Sequence, residues 1–499
     1  PKAPPQSHCI SEKQSLDPLQ PDLSVVTKTS DGKHMDLPTV LPRSLVLGLN
    51  AHEDPEQFAK YDAAIADTAV SSVDSMVAKE LSSLSIQDLE KVYNDVHCLS
   101  SEVPESPELI RECLGQLDHE LQKIPDKTAF DLARSMNFNY VDNVNFRLQF
   151  LRADSMNPAR AAERLVRHFQ AKLELFGMSM LARDITQDDL DEEALKCLYD
   201  GSGQILPIRD RAGRLILVSF VHSATISVAA KLRRIFYCIM VAAEDSETQR
   251  KGAVGVSYLV GEKFSLSEFS HRRAWNARLS VLWSALPLRL DASHFCHDSL
   301  AWKVPFATFK IATNTFTRVR IREHYGTQSE CMVWLQTFGI PTHMFPLSDD
   351  GTSKIDAHVE KWTRRRALER QRRQALETDK LKGNFSTDSL GETSFRVDVP
   401  GRDDVLLGRG RPTYDHPGNV RLRDLVELHH QEYDVASLPE KQRITGDIIF
   451  SIHKLRGRFL EDDGFGWVEV DDSAAKKKVA HTFRTMRQRR KTVGKAYKP

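Results

Sequence analysis

Apolar residues recur at helical spacing between Asn157 and Gly177. Ala162, Leu165, Val166, Phe169, Leu173 and Phe176 form one stripe, with steps of 3, 4, 7, 11 and 14 residues from the first, which predicts an amphipathic helix. Asn157 suits its N-cap, Pro158 its first turn and Gly177 a left-handed end. Phe146–Arg152 reads as a shorter helix on the same core. Earlier, residues 54–99 are rich in Ala, Leu and charge, with Ile86, Leu89 and Val92 at helical spacing, and Glu108–Ile124 follows as another helix behind Pro107.

The pattern changes after Gly201. Arg214–Val221 is a continuous apolar run introduced by the turn residues Asp210 and Gly213, a buried strand. Lys231–Ala243 places Leu232, Ile235, Phe236, Ile239 and Met240 on one helical face. Gly252–Val260 predicts a second strand, and Val281–Leu290 and Val304–Ile311 read as further strands. Strands alternating with helices predict an α/β layer with a mostly parallel sheet. Residues 348–400 are polar and broken by Gly, Ser and Thr, a linker with one basic helix. Residues 401–491 look like a compact final module. In it a strand runs through Asp404–Arg411 into a glycine loop. A helix follows with Leu422, Leu425, Val426, His429 and Tyr433 on one face, then a second with Ile444, Ile448, Ile452 and Leu455. Phe459–Leu460 and Trp467–Val470 form a hairpin, and the last helix buries Ala475, Val479, Phe483 and Met486.

The organisation expected is therefore multidomain, α/β and α+β. Residues 1–53 form a disordered acidic N-terminus, 54–130 a helical region, 131–200 a helical lobe, 201–347 an α/β lobe, 348–400 the linker, 401–491 the C-terminal helical module with its hairpin, and 492–499 a basic tail. A length of 499 residues accommodates such a series. Lys plus Arg and Asp plus Glu both total 69, which excludes a uniformly basic coat protein. The balance is a cancellation. Residues 1–130 carry 11 basic and 22 acidic residues, residues 131–400 carry 38 and 32, and residues 401–499 carry 20 and 15.

Most of the central excess sits in Lys361–Arg373, which has seven basic residues and one acidic residue. Arg364, Arg365, Arg366, Arg370, Arg372 and Arg373 are the candidate anion-binding set, with Trp362 suited to the headgroup level of a membrane. Near an anionic bilayer each such residue is worth about 1 kcal/mol. The same helix suits nucleic-acid phosphates or nuclear import, or is a solvated helix that answers the acidic N-terminus. Gly408-Arg409-Gly410-Arg411 is a candidate anion loop, although the Walker spacing is absent. Lys477, Arg484, Arg487 and Lys491 on the last helix are the candidate nucleic-acid-binding residues.

Catalytic and metal motifs are missing from the sequence: no G-x-S-x-G elbow, HExxH, kinase signature or EF-hand occurs. His294-Phe-Cys-His297 lacks a second metal half-site and reads as structural. Seven scattered cysteines without a CxxC fit a reducing compartment. The expectation is a non-enzyme with no cofactor beyond a bound lipid and no metal.

Residues 131–347 resemble the CRAL-TRIO lipid-binding family. The resemblance rests on an ordered series: Asn145–Asp154 with Arg160–Val166, then Leu206–Arg214, Leu286-Pro-Leu-Arg289, Ser299-Leu-Ala-Trp-Lys-Val-Pro-Phe306 and Phe338-Gly-Ile-Pro341. Leu290–Ser293 departs from the family's pattern, and its closing motif is absent. The resemblance implies an α/β lobe whose apolar pocket holds one phospholipid, such as a phosphoinositide, or another amphiphile. Phe220, Phe236, Tyr237, Trp302, Phe306 and Phe309 are the candidate walls. Residues 401–491 resemble a domain of unknown function met mainly in algal proteins, through DVLLGRG, HPGN, GRFLE, GWVEV and AAKKKVAHTFR.

Two functions follow as expectations. One is a lipid-binding or lipid-transfer protein, cytoplasmic and peripheral at anionic membranes, whose C-terminal module engages other proteins. The alternative is a nuclear regulatory protein that binds nucleic acid through the basic C-terminal module.

Overall fold

The structure is a computed structural model that describes residues 73–99, 104–220, 226–262, 269–349, 351–381 and 396–496. The predicted disordered segment 1–53, Cys9 and the tail from residue 497 lie outside the described residues.

The chain enters through α1 (residues 73–82) and α2 (Ile86–Val96). A helical lobe follows: α3 (Pro107–Lys123), α4 (Thr128–Met136), α5 (Phe138–Val141), α6 (Val144–Ala153), α7 (Pro158–Phe176) and α8 (Glu192–Tyr199). Asn157 caps α7 by accepting from the Arg160 N–H at 3.1 Å, and Ser106 caps α3 ahead of Pro107, as the sequence signals require. The apolar stripe of α7 meets α3, α4 and α6 in a core containing Leu117, Phe130, Phe150, Leu165 and Phe169.

The α/β lobe contains β1 (Gly203–Arg209), β2 (Leu215–Ser219), α9 (Val228–Ala242), α10 (Ser246–Lys251), β3 (Ala253–Tyr258), α11 (Phe269–Trp283), β4 (Leu290–His297), α12 (Lys303–Ala312), α13 (Thr315–Arg318), β5 (Ile321–Tyr325) and α14 (Gln328–Thr337). The five strands lie in the order β1-β2-β3-β4-β5. β1 is antiparallel to β2, and all later neighbours are parallel. The sheet is thus mostly parallel, as the alternation of elements predicts.

Two strand expectations fail. Residues 281–283 finish α11, and β4 starts only at Leu290; Val304–Ile311 lies inside α12. Short apolar runs fit either element, and proline decides both. Pro305 lacks the N–H a central strand needs but is tolerated in a first helical turn. Pro287 likewise interrupts the other run. Three strands went unrecognised, β1, β5 and all but the first residue of β4, because buried Arg209, the polar Arg-Glu-His run of β5 and the Asp-Ala-Ser-His run of β4 hide the apolar pattern.

α15 (Asp356–Leu381) crosses the segment expected to be a linker. It packs on the α/β lobe: Trp362 is 1% exposed, its ring 5.5 Å from that of Tyr237. The Trp362 indole is therefore core and does not stand at a headgroup level.

The C-terminal module comprises β6 (Val405–Leu406), α16 (Arg411–Asp415), α17 (Pro417–Leu428), α18 (His430–Val435), α19 (Leu438–Lys454), β7 (Phe459–Asp462), β8 (Trp467–Glu469) and α20 (Asp472–Ala496). β6 pairs parallel to β7, and β7 forms the expected antiparallel hairpin with β8. Leu422, Val426, Ile444, Ile448, Ile452, Phe459, Ala475, Val479 and Phe483 make the core. One predicted helix is two: the chain turns at His429, and Tyr433 of α18 stacks on Phe483 at 3.7 Å.

Candidate functional site

The two faces of the sheet are unlike. One face carries Ile216, Val218, Val254, Val256, Ala292 and Cys296, all at most 2% exposed under α2 and α14. The opposite face is buried at Leu215, Ala253 and Ser293, at most 8% exposed, and only partly buried at Leu217, Ser219, Gly255, Ser257 and Phe295. Parallel strands are normally covered on both sides, so this face is a candidate ligand floor. Ser219, Gly255 and Ser257 are small, and the Ser219 and Ser257 hydroxyls share a hydrogen bond of 3.0 Å.

A cleft of about 270 Å³ adjoins that floor, between α7, the end of α11, the start of β4 and the α12–α13 turn. Leu290 joins the two, since it lines the cleft and its Cδ1 lies 3.6 Å from where a Cβ on Gly255 would stand. Phe309 joins them again: it lines the cleft and packs on Phe295 with ring centroids 5.2 Å apart. Trp283 and Phe316 add aromatic wall.

The rim is cationic. Arg160, Arg164, Arg167 and Arg289 face only Asp154 and Glu163 within the lining. Their roles differ. Arg164 is a clamp, donating to Asp154 at 2.6 and 3.1 Å and to the Trp283 and Leu286 carbonyls at 2.9 and 3.0 Å. Arg289 is held by Asp291 at 2.5 Å. Arg160, 3.7 Å from Asp154, and Arg167, 3.3 Å from Glu163, keep side-chain exposures of 55% and 45% and are the most accessible of the four to an incoming anion.

Three of the six aromatic residues expected as pocket walls come together here. Phe309 lines the cleft, and Phe306 and Trp302 continue behind it around Phe295. The other three lie apart. Phe220 packs on Tyr258 beside the sealed face. Phe236 stacks on His168 in the core at 5.1 Å. Tyr237 is fully buried and donates to Glu369 of α15 at 2.8 Å. Sequence reasoning missed Phe295, Trp283, Phe316 and the rim arginines. Only the rim had a readable signal, Arg160, Arg164 and Arg167 at helical steps of four and three.

The candidate anion set on α15 is largely committed to carboxylates. Arg365 binds Glu244 at 2.5 Å and Glu369 at 2.9 Å. Arg366, Arg370 and Arg373 gather on Asp188 at 3.0, 3.6 and 3.0 Å. Arg364 takes Glu360, Arg372 reaches Glu244, and Lys361 takes Asp398. The seven cations face five carboxylates, so the segment leaves a surplus of two.

In the C-terminal module the motif residues hold the backbone together. Asp404 accepts from the Gly401 N–H at 2.7 Å and from the Arg458 side chain at 2.8 and 3.1 Å. Asn419 grips β6 through the Leu406 N–H at 2.6 Å and carbonyl at 2.9 Å. Gly418 and Gly457 are required by close approach, because a Cβ would stand 2.0 Å from the Asp404 carbonyl oxygen and 2.3 Å from that of Asp403. Gly408, Arg409, Gly410 and Arg411 are exposed, as are Lys477 and Arg484. Arg487 is paired with Asp434, and the Lys491 side chain lies outside the described residues.

Arg458 also reaches the α/β lobe, at 3.2 Å to Asp245 and 3.5 Å to Glu247. Asp245 is held from its other side by buried Arg209 at 2.8 Å. In this cluster burial pushes the Glu247 carboxyl up to about 7, reinforced by Asp404 and Asp245 and opposed by Arg209 and Arg458.

Among the described residues no helix is long and apolar enough to cross a membrane, and no group of three or more His, Cys, Asp or Glu is placed to hold a metal. Residues 404–485 match a domain of unknown function, DUF6824. No match to the CRAL-TRIO family accompanies it. No curated protein matches the chain.

Proposed function

We propose that the chain is a non-catalytic lipid-binding or lipid-transfer protein whose α/β lobe, of CRAL-TRIO-like kind, seats one amphiphile with an anionic headgroup. The observation that carries this reading is the partly open sheet face continuous with a cleft of apolar wall and cationic rim. An amphiphile needs both parts: apolar contact for its chain, and a charged partner for a headgroup that is costly to desolvate alone. At about 270 Å³ the cleft is slightly smaller than the ~300–1,000 Å³ of common ligand sites. It suits a headgroup or one chain, with the open sheet face receiving the remainder. Arg160 and Arg167 meet the anion, and Phe309, Phe295 and Leu290 meet the chain.

The surplus charge on α15 supports a reversible attraction to an anionic membrane, at most about 2 kcal/mol for a net excess of two cations over the carboxylates they share. That is consistent with a peripheral cytoplasmic protein. The C-terminal module is the interaction part of the same molecule.

The test is mass spectrometry of lipid co-purified with the full chain, followed by uptake from phosphoinositide-containing vesicles. One bound amphiphile per chain is expected. Arg160→Glu with Arg167→Glu, both on exposed side chains, should abolish uptake of the anionic lipid while the fold persists. A chain that carries no lipid and takes none from vesicles overturns the reading.

A further inference from the structure

The C-terminal module treats its cations in two ways. Arg421, Arg443, Arg487 and Arg490 are matched by Asp403, by Glu432 and Asp447, by Asp434 and by Glu427 respectively. Around Tyr414 the matching stops. The Arg423 guanidinium lies 3.9 Å from the Tyr414 ring centroid and donates to the Tyr414 carbonyl at 2.7 Å. Arg489 lies 5.1 Å from the same ring and donates to its hydroxyl at 2.7 Å. Lys478 donates to the Leu406 carbonyl at 2.9 Å, at the mouth of the glycine turn. Burial, with the nearby charge of Arg423, holds the Lys478 ammonium below the usual lysine range. Arg409 and Arg411 project from the turn, and the Arg411 side chain is 95% exposed. Among the described residues, the one carboxylate paired with any of these five cations is Asp415, 3.9 Å from Arg411.

We propose that this surface, made by Arg409 and Arg411 of the turn, Arg423 of α17 and Lys478 and Arg489 of α20, binds the phosphate backbone of a nucleic acid. Crowded like charges with one carboxylate among five cations raise the energy of the free protein, and a bound polyanion relieves it. Tyr414 fixes two guanidiniums before any ligand arrives, so less side-chain freedom is lost on binding. The extent of the surface selects a polymer over a lone phosphate. Lys478 and Arg489 are eleven residues apart on α20, about 16 Å along its axis. A DNA strand presents a charge about every 3.4 Å, so several phosphates meet the surface together. Exposed Lys477 and Arg484 add positive charge on a neighbouring face of α20. The set differs from the one the sequence suggests: Arg487 is withdrawn by Asp434, while Arg423 and Arg489 join from two helices around one tyrosine.

The experiment uses the full chain and a fluorescent 20-base-pair DNA duplex, titrated across salt concentrations. Binding is expected, weakening steeply with salt. Arg423→Ala with Arg489→Ala should cost at least about tenfold in affinity and lower the salt slope by about two. Arg409→Glu with Arg411→Glu, in an exposed turn without core contacts, should cost a similar factor and does not depend on refolding of the Tyr414 cluster. Arg443→Ala, on a matched arginine, should leave binding unchanged. The proposal is overturned if the wild-type chain does not bind, if both double variants bind as it does, or if Arg443→Ala loses as much. It is also overturned if the double variants lose phosphatidylserine vesicles and keep DNA, which makes a membrane the partner. Lipid uptake by the α/β lobe has its own readout and stands or falls separately.

Discussion

On α15 the arginines meet carboxylates, three of them converging on Asp188 and Arg365 lying between Glu244 and Glu369. Around Tyr414 the arginines meet an aromatic ring and a hydroxyl instead. By composition α15 has the stronger claim on an anion, with seven cations and one acid in thirteen positions. By pairing the order reverses. The charge of a segment counts what the chain supplies; the partners contributed by distant elements decide how much remains for a ligand. On α15 the charge is spent on holding a helix to the lobe, and at Tyr414 it stays at the surface.

The comparison breaks most visibly if α15 is pried from the lobe. Trp362→Ala removes a buried indole and should cost about 3–5 kcal/mol in urea unfolding. A loss under 1 kcal/mol would show that α15 is merely laid on the surface. Arg209→Ala should cost a similar amount, about 3–5 kcal/mol, because Asp245 and the Val399 carbonyl lose a buried donor. Retained stability would remove that ion pair from the account.

A smaller effect comes from Glu247. Its carboxyl titrates near 4.5 when unfolded and is raised to about 7 in the fold, so the native state binds the extra proton between those values. The stability this group contributes is complete below pH 4.5 and is lost as pH rises towards 7. Glu247→Gln should therefore flatten the pH dependence over that window. At pH 8 it should gain about 2–3 kcal/mol relative to wild type, and thermal melts at pH 5 and pH 8 measure both. An unchanged difference between the two pH values would place the carboxyl in water.

The smallest effect sharpens the comparison directly. Asp188→Asn releases Arg366, Arg370 and Arg373 from their shared partner. Stability should move by less than about 1 kcal/mol. Affinity for phosphatidylserine vesicles should rise about fivefold, the worth of roughly one added cation. Unchanged sedimentation with vesicles would mean that these arginines face no membrane.

The sequence was most readable where local signals agree with burial. The caps and stripe of α7, and the apolar spacing of α17, α19 and α20, place those elements and their cores. It was least readable where buried polar groups stand in apolar positions: Arg209 in β1, Asp291 and His294 in β4, all under 10% exposed. Their partners lie far along the chain, as with Arg209 and Asp245 or His294 and His324, so no window of neighbouring residues displays them. The candidate site divides in the same way. Trp302, Phe306 and Phe309 fall within one short segment and stay together, whereas Phe220 and Phe236 are sent to different cores. Trp362 looked like an interfacial residue because Tyr237, which covers it, is 125 positions away.

Arg458 lies within the matched residues 404–485, yet two of its three carboxylate partners, Asp245 and Glu247, belong to the α/β lobe. Mechanically, this rivets the C-terminal module to the N-terminus of α10. Torque applied to the module by a large ligand reaches α10 and then the first residue of β3, two positions further on, with little slack to absorb it. The two parts turn together as one lever.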